Sequence, residues 1–295
     1  MKPLLSIIIP AYKAEKTIDR TLDSLSRMSP ESRSAAEVIV VDDGSTDRSA
    51  EIAESKRASL LPLELLILSQ SNKGLSAARN TGLRHSRGEY IFLLDSDDEL
   101  ALDPVPWIRQ QREASSLLFA VRYQKGDSFL RRRKAPSLTT HNLFDVFTAG
   151  NALTVSSIIF RKDRVRCPFD AAQFSLEDWL FWMTNPLIFE KTRSFPQETS
   201  AIIHVHEENM SSNAGKMGKY RQRAAEMMLA NAGGGLTRKQ RNNLLIQARI
   251  GMIQQGMKAP VGTYFLVPCA MSLYVRLILY GVTGGNLGKL GLYNS

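Results

Sequence analysis

Four short apolar runs punctuate the first hundred residues, at 4–9, 38–41, 63–68 and 90–94, each rich in branched side chains and bounded by Pro, Gly, Asp or Ser. Runs of that length and composition predict buried strands. Between them the pattern changes to a helical period. Ile18, Leu22 and Leu25 recur after Lys16, Ser45 or Thr46 offers an N-cap to a helix through Ile52, and a third helix is predicted over 75–85 with Gly88 as its stop. Alternation of strand and helix in this order gives an α/β fold whose central sheet is mostly parallel, joined by right-handed crossovers and flanked by helices.

Ligands of such sheets bind beyond the carboxyl ends of the strands, and the residues delivered there are unusually polar. The first strand leads into Pro10-Ala11-Tyr12, the second into Asp42-Asp43-Gly44-Ser45-Thr46-Asp47, and the fourth into Asp95-Ser96-Asp97-Asp98. Two acidic clusters at one edge repel each other unless a cation lies between them. A hard divalent ion with oxygen preference, Mg2+ or Mn2+, is the simplest candidate, held by Asp95 and Asp97 together with a substrate diphosphate. The plain alternative is that 95–98 caps the next helix, yet four polar residues exceed what a cap requires. Asp42 to Asp47 opens like a calcium loop but has Ala53 where the bidentate glutamate belongs. The stretch 72–82 opens a helix with Gly74 and carries Arg79, and both a helix N-terminus and an arginine favour a nearby phosphate. Ala77 and Ala78 are equally consistent with plain packing.

Taken in order, Ile8 to Tyr12, Val40 to Asp47, Gly74 to Gly82 with Ala78, Arg79 and Asn80, and Leu94 to Asp98 resemble the inverting glycosyltransferases of family 2, over about a third of the chain. The resemblance implies a GT-A fold and a nucleotide-diphosphate sugar donor, with a UDP-sugar expected. It implies that Pro10, Tyr12 and Asp43 line the nucleoside pocket, that Arg79 lies near the nucleotide, and that Asp95 and Asp97 hold the diphosphate through the metal. Glu177-Asp178 followed by Trp179-Leu180-Phe181-Trp182 is similar to the acidic pair that supplies the family's catalytic base. Inverting displacement needs a carboxylate within reach of the acceptor hydroxyl, opposite the leaving group. Adjacent helical residues point about 100° apart, so the two acids divide the work, Asp178 as base and Glu177 as an acceptor or structural contact. His206 resembles the late histidine that completes the metal or diphosphate site, with Ser211 after it, although His204 stands where an arginine is commoner. Trp179, Phe181 and Trp182 have two readings, a stacking surface for sugar rings or core.

With 43% hydrophobic and 23% charged residues the chain can fill a core, so disorder is excluded. Cys167 and Cys269 lack metal-ligand spacing and suggest a reducing compartment. Charge is uneven: the chain carries +9, while 216–295 holds eleven Lys/Arg against Glu226 alone, so the remainder is near neutral at −1. Beside that basic surface, 261–282 is apolar but broken by Gly262, Pro268 and Arg276, a poor spanning helix and a reasonable interfacial one. An ordinary core helix is the alternative. The expectation is a cytoplasmic protein held peripherally on an anionic membrane and not bound to nucleic acid, acting on a saccharide or lipid-linked saccharide acceptor in cell-surface polysaccharide synthesis. Three segments follow: a nucleotide-sugar half at 1–105, an acceptor and catalytic-base half at 106–215, and a basic helical extension at 216–295. Arg131 to Lys134 reads as a solvated loop and 151–160 as strand beneath the acceptor groove. A nucleotidyltransferase and an inactive nucleotide-sugar-binding subunit are the rivals. The first lacks its glycine-rich loop after the first strand, and the second sits badly with an intact Glu177-Asp178 pair.

Overall fold

The computed structural model of the chain describes residues 2–139, 141–206, 214–231 and 235–256. The interfacial stretch expected over 261–282, Cys269 and Ser211 lie outside the described residues. The apolar runs form strands β1 (Leu5–Ala11), β2 (Ala36–Asp42), β3 (Glu64–Ser69) and β4 (Tyr90–Leu93), parallel and in the order β3-β2-β1-β4. Every residue of β1 and β2 is buried, because both faces of the sheet are covered. Leu5, Ile7 and Ile9 enter one apolar layer and Ile8 the other, which is why these strands read as unbroken apolar runs.

The sheet continues past residue 105. After β5 (Glu99–Leu100), the strands β6 (Ser116–Lys125), β8 (Ile158–Arg161) and β9 (Thr192–His204) extend it in the order β4-β8-β6-β9-β5. β8 is antiparallel to both neighbours, while β6 and β9 run parallel. The carboxyl ends of β6 and β9 therefore lie on the same edge as those of β1 and β4. β7 (Ser128–Arg133) pairs back on β6 as a hairpin. This corrects the loop expected at Arg131 to Lys134: Arg131, Arg132 and Arg133 belong to an exposed edge strand, whose backbone ladder a charge run does not prevent. Only Ile158–Arg161 of the expected 151–160 strand is extended, preceded by a short 3-10 turn at Val155–Ser157.

Helices α1 (Ile18–Ser24), α2 (Pro30–Ser34), α3 (Ser49–Ser55), α4 (Arg57–Leu60) and α6 (Pro104–Gln110) follow in the first 110 residues, and Ile18 and Leu22 of α1, Ala53 of α3, Leu60 of α4 and Val105 and Ile108 of α6 enter the same layer as Ile7 and Ile9. The N-cap expected at Ser45 or Thr46 is displaced: α3 begins after Arg48, and the Asp47 carboxylate accepts the Ser49 N–H. Ser45 is used elsewhere, its hydroxyl accepting from the Lys13 N–H and its own N–H donating to Asp42. α5 (Leu75–His85) stands where the periodicity puts it, but Ser86, in extended conformation, ends it rather than Gly88. Its Gly82 permits the closest contact with the sheet, since a Cβ there would fall 2.2 Å from Cγ2 of Ile8. Gly82→Ala is expected to cost about 1–3 kcal/mol of stability by overpacking, measured as a lower denaturant midpoint with an unchanged slope.

On the face that receives Ile8, α7 (Leu143–Ala149), α8 (Glu177–Thr184), α9 (Ala214–Asn231) and α10 (Arg238–Gln254) build the second layer. Trp179, Phe181 and Trp182 are buried in it, Phe181 stacking on Phe169 with centroids 4.0 Å apart, so they form core and not a sugar platform. Ala224, Ala225 and Met228 of α9 and Leu244 and Ala248 of α10 join the same layer. A capping box between Thr237 and Gln240 starts α10.

Candidate active site

The carboxyl ends of β1, β2, β4 and β9 surround a cleft of about 1510 Å³. Pro10, Tyr12 and Asp43 line one part of it and Asp95, Asp97 and His206 another. Tyr12 is half exposed at 48%, its ring open to a ligand. Asp43 is buried and fixes the loop that enters α5: one oxygen accepts from the Lys73 N–H at 2.9 Å and the Gln70 amide at 2.7 Å, the other from the Gly74 N–H at 2.7 Å. An ionised carboxylate has about four acceptor positions, which leaves one for a nucleoside group.

Arg79 does not line the cleft. Its guanidinium is buried behind Asp95, donating to Asp95 at 2.7 Å and to Glu177 at 2.5 Å, with the Phe169 ring 5.5 Å away. Burial opposes its charge, but the Asp95 and Glu177 carboxylates outweigh burial and raise its affinity for the proton above the usual arginine value. Any influence of Arg79 on a nucleotide passes through Asp95. Its Nε is buried with no hydrogen-bond partner, a cost that the two ion pairs offset.

Asp97 and His206 meet directly, Oδ2 to Nε2 at 2.8 Å. Burial, and then the charge of Asp95, raise the Asp97 carboxyl above the usual range, while His206 opposes the shift. Asp98 behind it is pushed up further, by burial first and then by Asp97 and Asp95, and accepts the His204 N–H at 3.1 Å. His204 and His206 take different partners, since the His204 ring contacts Glu99 at 2.8 Å. Burial and mutual repulsion among these carboxylates thus favour a proton or a cation at this edge of the cleft.

Glu177 and Asp178 begin α8 directly after Leu176, whose φ of +57° is unusual for a branched side chain and turns the chain sharply into the helix. Glu177 is buried against Arg79, whereas Asp178 is half-buried and accepts from the Asn151 amide at 2.9 Å. Burial, and then the charge of Glu177, push the Asp178 carboxyl up to about 7, against the hydrogen bond from Asn151 and the charge of Arg79. The chain Glu177, Arg79, Asp95 ties the start of α8 to the acidic edge of the cleft.

Several lining residues carried no signal in the sequence. Lys13, Lys16 and Arg20 follow β1 into the cleft, Gly126 and Asp127 arrive from the β6–β7 turn, and Phe174, Lys219 and Tyr220 close the side nearest α9. Only the first three stand beside a recognisable motif. Phe174 is 53% exposed and its ring lies 6.0 Å from Tyr220, an aromatic wall that a contact across 46 residues creates.

Known proteins share this architecture. The structure of TarS 1–349 from Staphylococcus aureus in complex with UDP-GlcNAc superposes with a TM-score of 0.61 at 23% identity, over 86% of this chain and 72% of that one. The mannosyltransferase PcManGT from Pyrobaculum calidifontis, in complex with GDP-Man and Mn2+, does so at 0.62 and 15% identity over 95% and 81%. In sequence, the chain is 40% identical over 119 residues to the uncharacterized glycosyltransferase EpsJ of Bacillus subtilis (strain 168), 40% of this chain and 33% of that relative. The chain thus matches about a third of that relative's length. Residues 6–163, just over half of the chain and holding β1 through β8 with both acidic clusters, match the family described as glycosyl transferase family 2. Strand order, cleft and sequence agree, and the chain belongs to glycosyl transferase family 2.

Proposed function

We propose that the protein transfers a glycosyl unit, with inversion, from a nucleotide-diphosphate sugar to a hydroxyl of a saccharide or lipid-linked saccharide in cell-surface polysaccharide synthesis. The observation that carries this reading is the ion-paired chain Glu177, Arg79 and Asp95, which fixes the start of α8 against the acidic edge of the cleft and with it the neighbouring Asp178, whose carboxyl burial raises to about 7. A base titrating near neutrality is matched to a proton-abstracting role. Ionised Asp178 takes the proton of the acceptor hydroxyl as that oxygen bonds the anomeric carbon from the side opposite the donor. The bond to the diphosphate oxygen breaks, and its electron pair leaves with the nucleoside diphosphate. Glu177 holds the start of α8 in place through Arg79. Pro10, Tyr12 and Asp43 receive the nucleoside, and Lys13, Lys16 and Arg20 face the phosphates.

The donor set at the acidic edge fits a divalent cation: Asp97 and His206 already touch, and repulsion among Asp95, Asp97 and Asp98 is relieved by positive charge. Asp97 and His206 would hold Mg2+ or Mn2+ with Asp95 alongside. Among the described residues no three His, Cys, Asp or Glu side chains form a ready cage, and an ion that keeps waters and shares diphosphate oxygens requires none. When bound, the ion neutralises the leaving diphosphate. A UDP-sugar is the proposed donor, supported by the UDP-GlcNAc bound in TarS, and the Mn2+ bound in PcManGT supports the metal. Among the described residues no helix is long and apolar enough to cross a membrane, and peripheral attachment to an anionic membrane from the cytoplasmic side is proposed. The segments 1–105, 106–215 and 216–295 are proposed as donor, acceptor and attachment parts, the first two sharing one sheet.

The test is thermal unfolding of the full chain with UDP-, GDP- and dTDP-sugars, each with and without Mn2+. A ligand at a hundred times its Kd adds about 2.7 kcal/mol to the folded state. The expected result is a clear upward shift with one nucleotide, dependent on metal, whose metal-dependent part disappears in Asp97→Ala. Absence of a shift with every nucleotide would return the inactive-subunit reading to first place.

A further inference from the structure

We propose that the tip of the β6–β7 hairpin is a membrane-docking surface, inserting Phe129 and Leu130 into the interface of an anionic bilayer and holding the mouth of the cleft against it. The proposal rests on the reading of the protein as a peripheral membrane enzyme and names the surface responsible. Phe129 is 61% exposed and Leu130 49%, both at the start of an edge strand. Phe129 pairs with Gln124 and Arg131 with Tyr123, so Leu130 is an extra residue in β7 and the two apolar side chains stand together at a bulge beside the turn. An apolar phase entered end-on receives both.

The charge around this tip suits anionic headgroups. Residues 122–134 contain six cations, Arg122, Lys125, Arg131, Arg132, Arg133 and Lys134, against Asp127 alone. Arg132 and Arg133 bind the carbonyls of Gln197 and Asn151, and Arg131 lies over the Tyr123 ring at 4.3 Å. Those contacts brace the hairpin, while Arg122, Lys125, Arg131 and Lys134 remain exposed. Apolar residues at a tip ringed by basic side chains combine the two contributions that hold interfacial segments on anionic lipid. A second copy is the poorer occupant. Two copies joined here bring two such basic segments, each with six cations against one acid, into one interface, the kind of like-charge contact that keeps edge strands apart. A soluble polyanion leaves Phe129 and Leu130 unexplained.

The position has a consequence for turnover of lipid-linked acceptors. Gln124 pairs with Phe129 on one side and with His204 on the other, and Gly126 and Asp127 of the turn line the cleft. A bilayer that receives Phe129 therefore lies beside the opening through which an acceptor reaches the site.

The test is co-sedimentation of the full chain with vesicles of phosphatidylcholine alone or with phosphatidylglycerol, comparing the native protein with Phe129→Asp/Leu130→Asp. The native chain is expected to partition onto the anionic vesicles, and the double variant at least tenfold less, the factor that about 1.4 kcal/mol of lost contact gives. Unchanged thermal unfolding checks that the variant is folded. Separately, Phe129→Trp is expected to shift its emission to the blue on anionic vesicles, against native tryptophans of which Trp179 and Trp182 are already buried. If native chain and double variant bind vesicles equally, the hairpin assignment is overturned while peripheral attachment stands. If the native chain does not bind, peripheral attachment itself fails and the hairpin with it. Self-association without lipid that the double variant abolishes would assign the tip to a second copy. Loss of binding to a soluble polyanion, with vesicle binding intact, would assign it to a polyanionic partner.

Discussion

Asp178→Asn is expected to lower turnover by about 10²–10⁴-fold, the contribution of a positioned general base, with donor binding unchanged in the thermal-shift experiment. Asparagine keeps one acceptor oxygen, enough for the bond from Asn151 or the one from the Trp179 N–H but not both, and removes the proton-accepting group. Native turnover should rise with pH to a plateau above about 7, because the base works only when ionised and burial beside Glu177 sets its carboxyl there. That ascending limb should be absent from the variant. Stability runs the other way. The folded-state value lies above the usual carboxylate value, so the contribution of Asp178 to stability is complete below about pH 4 and is lost as pH rises through about 7. Asparagine stays neutral, so the variant should unfold at a higher temperature than the native chain above pH 7. Turnover within a few-fold of native would move the base to another residue, whatever the stability result.

Arg79→Met is expected to destabilise the fold by about 3–5 kcal/mol, the range for removing one partner of a buried charge cluster. The substitution leaves Glu177 buried and Asp95 half-buried with no cation between them. Denaturant midpoints check the magnitude. Adding Glu177→Gln to Arg79→Met should recover part of the loss, because it removes one of the stranded charges, and the double-mutant cycle measures that coupling. Arg79→Lys should fall between native and Met, since one ammonium lacks the fork that reaches both carboxylates. Full stability of Arg79→Met would mean that Glu177 and Asp95 are solvated enough to stand alone, and the rigid tie between α8 and the cleft would have to be abandoned.

Much of the structure of residues 1–105 is legible in the sequence. The four apolar runs form strands within about two residues of their expected ends, as boundaries read from pattern allow, and α5 spans its expected residues. That segment is governed by local rules: branched residues with both faces covered, punctuated by Pro, Gly and Asp. The acidic clusters at 42–47 and 95–98 follow from the same rules, because in a parallel sheet the residue after each strand must emerge on one edge. Where local rules competed, the reading slipped. Ser45 and Thr46 are as suitable for capping as Asp47, and only the Lys13 N–H, brought to Ser45 by the first crossover, removes that serine from the cap.

The sequence by itself determined the layered α/β fold, the parallel run of its first strands and the family to which the chain belongs, since each depends on patterns repeated within a few residues. Tertiary structure alone decided that Arg79 faces inward to Asp95 and Glu177, 16 and 98 residues away, rather than outward to a ligand. It alone decided that Trp179, Phe181 and Trp182 are core and that Arg131 to Arg133 lie on an edge strand beside two exposed apolar residues. A buried charge or an exposed ring is defined by what the returning chain places against it, and no spacing along the sequence carries that information.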